Sequence, residues 1–195
     1  FEIKNKSFSN IKSFYDVMKK ASSRSFSPIV FGGGIKNLED AKKYFQTGAD
    51  KISINTSSLE NTDFVSNLAN TFGSQSVVVS VDVKKVNNKY QIYNAKKDKI
   101  IETDLFDYVK RLELKGAGEI LLNSVDRDGT GEGYDIKLIK DIFDIINIPL
   151  IPCGGVGKFE HFIDLLEKVD LTAVSAGNIF NFTERSYEKA KEFLK

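Results

Sequence analysis

Short apolar runs alternate along this chain with longer stretches in which apolar residues return every three or four positions. The runs Pro28 to Phe31, Lys51 to Ile54, Ser76 to Val83, Glu119 to Leu122, Pro149 to Ile151 and Leu171 to Val174 are brief and rich in branched side chains, and they predict strands. The stretches Leu38 to Phe45, Leu59 to Phe72, Leu105 to Leu114, Ile136 to Ile145 and Phe159 to Leu166 predict helices with one buried face. The order is therefore β then α, repeated. Runs such as Val77-Val78-Val79 and Ile120-Leu121-Leu122 lack an in-out alternation, the pattern of parallel strands covered on both faces. The fold class is α/β, either a doubly wound sheet or a (β/α) barrel. The exception is 84–101, polar and rich in lysine and asparagine, which predicts a β-hairpin turned at Asn87-Asn88 and lying as a flap over one face. No linker interrupts the pattern, so 1–195 is read as a single domain.

An internal repeat selects the barrel. The run from Pro28 through Gly32-Gly33-Gly34 to Leu38-Glu39 returns as Pro149 through Gly154-Gly155 to Phe159-Glu160, an offset of 121 positions. The strands that follow, beginning at Lys51 and at Leu171, correspond as well and both end in small polar residues. Two such units make about 242 residues, close to the roughly 250 of an eight-stranded (β/α) barrel, or TIM barrel, built from two half-barrels. The 195 residues are about three quarters of that. Counting with the same offset makes Phe1-Glu2-Ile3 the last residues of strand two, assigns strands three to eight to the remainder, and puts strand one before Phe1.

Composition narrows the function by exclusion. Lys and Arg number 28 against 27 Asp and Glu, a net charge of +1, so no charge excess points to nucleic acid or a membrane surface. No apolar run approaches the roughly 18 residues needed to span a bilayer. A single cysteine, Cys153, excludes an internal disulfide and fits a reducing compartment; a cytoplasmic location is expected. The lone His161 sits in a helical stretch and reads as a surface or packing residue. With one histidine and one cysteine, no metal site and no cofactor are expected.

Any chemistry should lie at the C-terminal ends of the strands, where barrels of this kind carry their sites. Two symmetric glycine-rich turns stand there, Gly32-Gly33-Gly34 and Gly154-Gly155, each neighbouring a strand that ends in Asn55-Thr56 or Gly177-Asn178. Glycine lets backbone N–H groups approach a phosphate closely, so two such corners suit an elongated substrate with a phosphate at each end. Asp82 closes a buried strand, a costly place for a carboxylate unless it is paired or used as an acid or base. The acidic loop after strand six adds Asp126 and Asp128 beside Gly129. Lys51 and Glu119 open strands four and six at the opposite mouth, where solvated strand-end charges are the ordinary reading.

Taken together, FGGGI, GADKISINT, FGSQSVVVSVDVKKV, GAGEILLNSVDRDGTGEGYD, PCGGVGKFEHF and AGNIFNF closely resemble the cyclase subunit of imidazole glycerol phosphate synthase, in family order and over nearly the whole chain. The resemblance implies a (β/α) barrel enzyme of histidine biosynthesis, a lyase that takes ammonia from a partner glutaminase. It would convert a bis-phosphate ribulosyl aminoimidazole carboxamide ribonucleotide to imidazole glycerol phosphate and aminoimidazole carboxamide ribotide. By this likeness Asp82 is the general acid and Asp128 a loop aspartate important for turnover. Gly34, Asn55 and Thr56 match one phosphate site; Gly129, Gly155, Val156, Gly177 and Asn178 match the other. Lys51 and Glu119 match members of a charged ring that admits ammonia from a glutaminase docked at the N-terminal face, which reverses the ordinary reading of those two.

Two departures accompany the likeness. The family's general base, an aspartate of strand one, would lie before Phe1, so the 195 residues alone are expected to be inactive. Asn123 and Asn178 stand where the histidine-pathway enzymes usually carry Thr and Ser. Asparagine at both resembles paralogues found with surface-polysaccharide genes, which supply ammonia for sugar amidination. A non-catalytic, ammonia-conducting subunit is a third reading.

Overall fold

A computed structural model describes residues 11–182 and 186–194. Phe1-Glu2-Ile3, read as the end of a strand, lies outside the described residues. The chain runs α1 (Ile11–Ser22), β1 (Val30–Gly32), α2 (Leu38–Gln46), β2 (Lys51–Ile54), α3 (Thr56–Glu60), α4 (Asp63–Phe72), a 3-10 turn (Ser74–Ser76) and β3 (Val77–Val86). It continues through β4 (Lys89–Asn94), β5 (Lys99–Ile101), α5 (Leu105–Leu114), β6 (Glu119–Ser124), α6 (Ile136–Phe143), β7 (Leu150–Cys153), α7 (Glu160–Leu166), α8 (Ile179–Phe182) and α9 (Ser186–Phe193).

Five strands pair in parallel in the order β1-β2-β3-β6-β7, each joined to the next by a helical crossover. This is an α/β sheet with alternating helices, the arrangement of a partial barrel whose ladder does not close among the described residues. The helices start where side chains can cap them. Asn37, Asp104 and Asp135 accept the backbone N–H groups of Asp40, Asp107 and Leu138. The helices bury Leu68, Leu112 and Ile142 against Val77, Val79, Val81 and Val83, all on one face of β3.

Four expectations are revised. The predicted strand Leu171 to Val174 is not a strand; the segment meets β7 through one bond, Ser175 N–H to Pro152 O at 2.9 Å, and no described strand flanks its other side. The predicted helix Leu59 to Phe72 is two helices, because Asn61 is extended (φ −154°, ψ 107°) and its side chain accepts the Asp63 N–H. The strands are not covered on both faces: β6 alternates buried Ile120, Leu122 and Ser124 with half-buried Glu119, Leu121 and Asn123. Helices α1, α8 and α9 were not anticipated, although Ile11, Tyr15 and Met18 carry a helical period.

The hairpin forms at the expected place, but as a continuation of the sheet. β3 runs on past its last parallel partner and turns at Asn87 (φ 49°) and Asn88 (φ 65°), the paired left-handed conformation of a two-residue hairpin, into β4 and then β5.

Candidate active site at the strand ends

The half-buried face of the sheet carries the candidate site. Side-chain alternation puts Lys51, Ser53 and Asn55 of the β2 run, Ser80, Asp82 and Lys84 of β3, and Glu119 and Asn123 of β6 on that face. Register then fixes who meets whom. Asp82 pairs directly with Asn123 across the β3–β6 ladder, and Asn55 follows the last residue of β2 on the other side.

Asp82 is held on both oxygens. Asn55 Nδ2 donates to Oδ2 at 2.9 Å and Asn123 Nδ2 donates to Oδ1 at 3.0 Å. Two amide donors on a half-buried carboxylate offset its desolvation without a cation. Asn55 occupies the N-cap position of α3, yet its side chain makes no cap bond because it is spent on Asp82. Its backbone is held instead, with Ser58 Oγ donating to Asn55 O at 2.6 Å and lying 3.0 Å from the Tyr108 hydroxyl. Burial pushes the Tyr108 phenol up to about 12. Asn123 Oδ1, by contrast, is buried with no partner among the described residues, close to the backbone of Gly154.

The hairpin strands border this corner. Lys84 Nζ lies 4.0 Å from the centre of the Tyr93 ring, and the Tyr93 hydroxyl donates to Asp98. That bond, with the charges of Asp98 and Asp82 nearby, raises the Tyr93 phenol above its ordinary value. In the turn between β4 and β5 Lys97 bridges to Glu60 at 3.0 Å, and Lys97, Lys96 and Lys36 together hold the Glu60 carboxyl low. The three lysine charges therefore act at Glu60, the last residue of the short helix that Thr56 opens. Gly34 has φ 71° and open space where a Cβ would stand, so its backbone faces outward unobstructed.

The second predicted corner forms a cavity of about 240 Å³, walled by Gly129, Thr130 and Gly131 on one side and Val156, Gly157 and Asn178 on the other. Gly155 and Gly177 flank it: Gly155 O accepts the Gly133 N–H at 2.7 Å, and Gly177 O accepts the Phe180 N–H as α8 begins. Asp128 is exposed in the loop leading into this wall, and no hydrogen bond joins it to Asp82 among the described residues. Its charge reaches Cys153, whose thiol is raised chiefly by burial. Asp126, in contrast, is spent on structure, since its Oδ2 accepts the Lys85 N–H at 2.6 Å where the hairpin departs.

Lys51 and Glu119 form an ion pair, half-buried on the same sheet face at its opposite end. Glu119 and Asn123 lie four residues apart on β6, so the pair sits roughly 13 Å along the strand from the Asp82 cluster. Among the described residues no group of His, Cys, Asp and Glu could hold a metal ion, and no helix is long and apolar enough to cross a membrane.

Parallel strands alternating with helices, with polar side chains gathered at the strand ends, define a barrel-type α/β enzyme scaffold. The profile of the family described as histidine biosynthesis protein matches residues 5–186, and the chain belongs to that family. It is 43% identical over 176 residues to a protein of Vibrio vulnificus (strain YJ016) provisionally named imidazole glycerol phosphate synthase subunit hisF2, covering 90% of this chain and 65% of that relative. It is 40% identical over 183 residues to the imidazole glycerol phosphate synthase subunit HisF of Sulfurisphaera tokodaii, covering 94% of this chain and 73% of the relative. The HisF subunit of Campylobacter concisus is 42% identical over 180 residues, 92% of this chain and 71% of the relative.

Proposed function

We propose that this chain is the cyclase part of an imidazole glycerol phosphate synthase, working in the cytoplasm as one (β/α) barrel domain beside a glutaminase subunit. Asp82 serves as general acid while the imidazole ring closes. Its pairing with Asn55 and Asn123 carries the reading, because a carboxylate gripped on both oxygens at the strand ends is aimed and solvated for proton transfer without being neutralised by a cation.

The two phosphates of the substrate would bind on either side of Asp82. One meets Gly34, Asn55 and Thr56, with Lys36 and the hairpin lysines adding positive charge. The other enters the cavity walled by Gly129, Val156 and Asn178, with Gly155 and Gly177 fixing the backbone around it. Asp128 would act from the loop above this cavity. Ammonia would enter past the Lys51–Glu119 pair at the far end of the same face, with the glutaminase docked there.

The test is growth without histidine of a cyclase-deleted host carrying the complete gene, together with turnover of the bis-phosphate substrate on added ammonium salt. Growth and turnover, both lost in Asp82→Asn, are expected; their absence in the unaltered protein would sink the proposal.

One observation favours a second reading. Asn123 leaves a buried acceptor, Oδ1, without a partner beside Asp82, and such an atom calls for an N–H donor. A paralogue that passes ammonia to a sugar in surface-polysaccharide synthesis, or a subunit that only conducts it, would also use an acceptor there. Failure of histidine complementation combined with retained ammonia delivery to a sugar acceptor distinguishes the paralogue.

A further inference from the structure

The one histidine of the described chain is not a surface residue. His161 is 9% exposed, on the first turn of α7, and its imidazole reaches Gly157, a residue in the wall of the 240 Å³ cavity. Its Nδ1 accepts the backbone N–H of Gly157 at 3.2 Å. Accepting there requires a bare lone pair on Nδ1, so the ring's proton sits on Nε2.

The same ring neighbours Gly133, two residues past the wall residue Gly131: a Cβ placed on Gly133 would meet the imidazole Cγ and Cδ2 at 3.5 Å, an ordinary van der Waals contact. Gly133 in turn donates its N–H to Gly155 O at 2.7 Å, and Gly157 is packed so tightly on Gly131 that a Cβ would come within 2.6 Å of Gly131 O. The two loops that wall the cavity are thus knitted together by backbone contacts, and the His161 side chain adds a directional bond to Gly157.

A cavity walled by glycines has few side chains of its own to fix its shape. Backbone N–H groups bind an anion only if the loop holds them at a set angle, and glycine loops are the least able to hold themselves. We infer that His161 is a positioning residue for anion binding in this cavity, locking the Gly157 backbone through Nδ1 so that the glycine walls are pre-formed for a phosphate. This rests on the proposed phosphate site. It adds a residue that acts on the ligand through Gly157.

The test separates the acceptor from the ring. In His161→Asn the side-chain Oδ1 stands where Nδ1 stood and can take the Gly157 N–H; in His161→Gln the amide is carried one atom further; in His161→Phe the ring bulk against Gly133 remains and the acceptor is gone. Binding of inorganic phosphate to the chain is followed by calorimetry, with the Gly157 amide resonance read in the 1H–15N spectrum and Asn178→Asp as the control that puts a negative charge into the cavity. His161→Phe and His161→Gln are expected to weaken phosphate binding about tenfold, the scale of one lost hydrogen bond, and His161→Asn less than about twofold. Rescue by Asn but not by Gln is an outcome that mere core filling would not produce. Unchanged binding in His161→Phe, with binding abolished by Asn178→Asp, overturns the inference and leaves the phosphate site standing. No phosphate binding by the unaltered chain overturns the site itself. Should His161→Phe fail to fold, the comparison of Asn with Gln decides alone, and equal affinity in those two variants refutes the role.

Discussion

Asn123 donates its amide to Asp82 Oδ1 at 3.0 Å from the directly opposite position of the neighbouring strand, and its own buried Oδ1 has no partner among the described residues. The residue that holds the carboxylate thus also leaves an acceptor beside it.

Asp82→Asn keeps the size of the side chain and removes the proton it could carry. Turnover by the complete protein should fall by between about 10² and 10⁴, the range of a lost general acid, with the thermal midpoint little changed. Steady-state assay on ammonium salt beside a melting curve measures both. Retained turnover would remove Asp82 from the chemistry.

The Lys51–Glu119 pair is half-buried, with 27% and 17% of the side chains exposed, so removing one partner strands the other's charge. Lys51→Met and Glu119→Leu should each cost about 1–3 kcal/mol, while the double variant should cost less than their sum. A double-mutant cycle in urea checks this. Strict additivity would mean that the two charges are not coupled in solution.

Two glycines at positive φ should respond differently to the same change. At Gly155 (φ 99°) a Cβ would come within 2.1 Å of Gly133 O, a backbone atom that cannot move aside, so Gly155→Ala should lose several kcal/mol or fail to fold. At Gly34 (φ 71°) nothing lies within 4 Å, so Gly34→Ala should cost only the left-handed strain of about 1 kcal/mol. If Gly34 faces a phosphate, that mild variant should still bind phosphate several-fold more weakly. Chemical denaturation with calorimetry distinguishes the two effects.

Alkali should weaken the fold by ionising groups that burial keeps neutral. Burial raises the phenols of Tyr44, Tyr108 and Tyr134 and the thiol of Cys153, and Tyr108 rises to about 12 from an ordinary 10.0. A raised pKa in the folded state contributes stability that is fully present below the unfolded value and is lost as pH rises through the folded one. The urea midpoint should therefore be flat below about pH 9 and fall between about pH 10 and 12, with a shallower fall in Tyr108→Phe. An unchanged slope in that variant would assign the alkaline loss elsewhere.

Periodicity alone located β2 and α5 to the residue. The expected strand at Leu171 to Val174 did not form because an apolar run becomes a strand only where neighbouring ladders accept its backbone, and among the described residues the segment meets β7 through one bond to Pro152. The break at Asn61 was readable in principle from an asparagine whose side chain takes the N–H two residues on, but the apolar spacing of Leu59, Phe64 and Leu68 ran straight across it. Proximity of Asn55, Asn123 and Asp82 depends on the register of three strands, which no local pattern encodes. His161 had no sequence signal for its bond to Gly157 beyond a spacing of four residues, which a plain helix face also produces.

The unbroken run of β3 from Val77 to Val86 has a mechanical consequence. Asp82 and the hairpin share one stiff ribbon, with Asn123 opposite the carboxylate and Asp126 clamping the point where the ribbon leaves the sheet. A ribbon without a bulge transmits force along its length, so a molecule that grips the turn at Asn87 and Asn88 pulls on the carboxylate's own backbone.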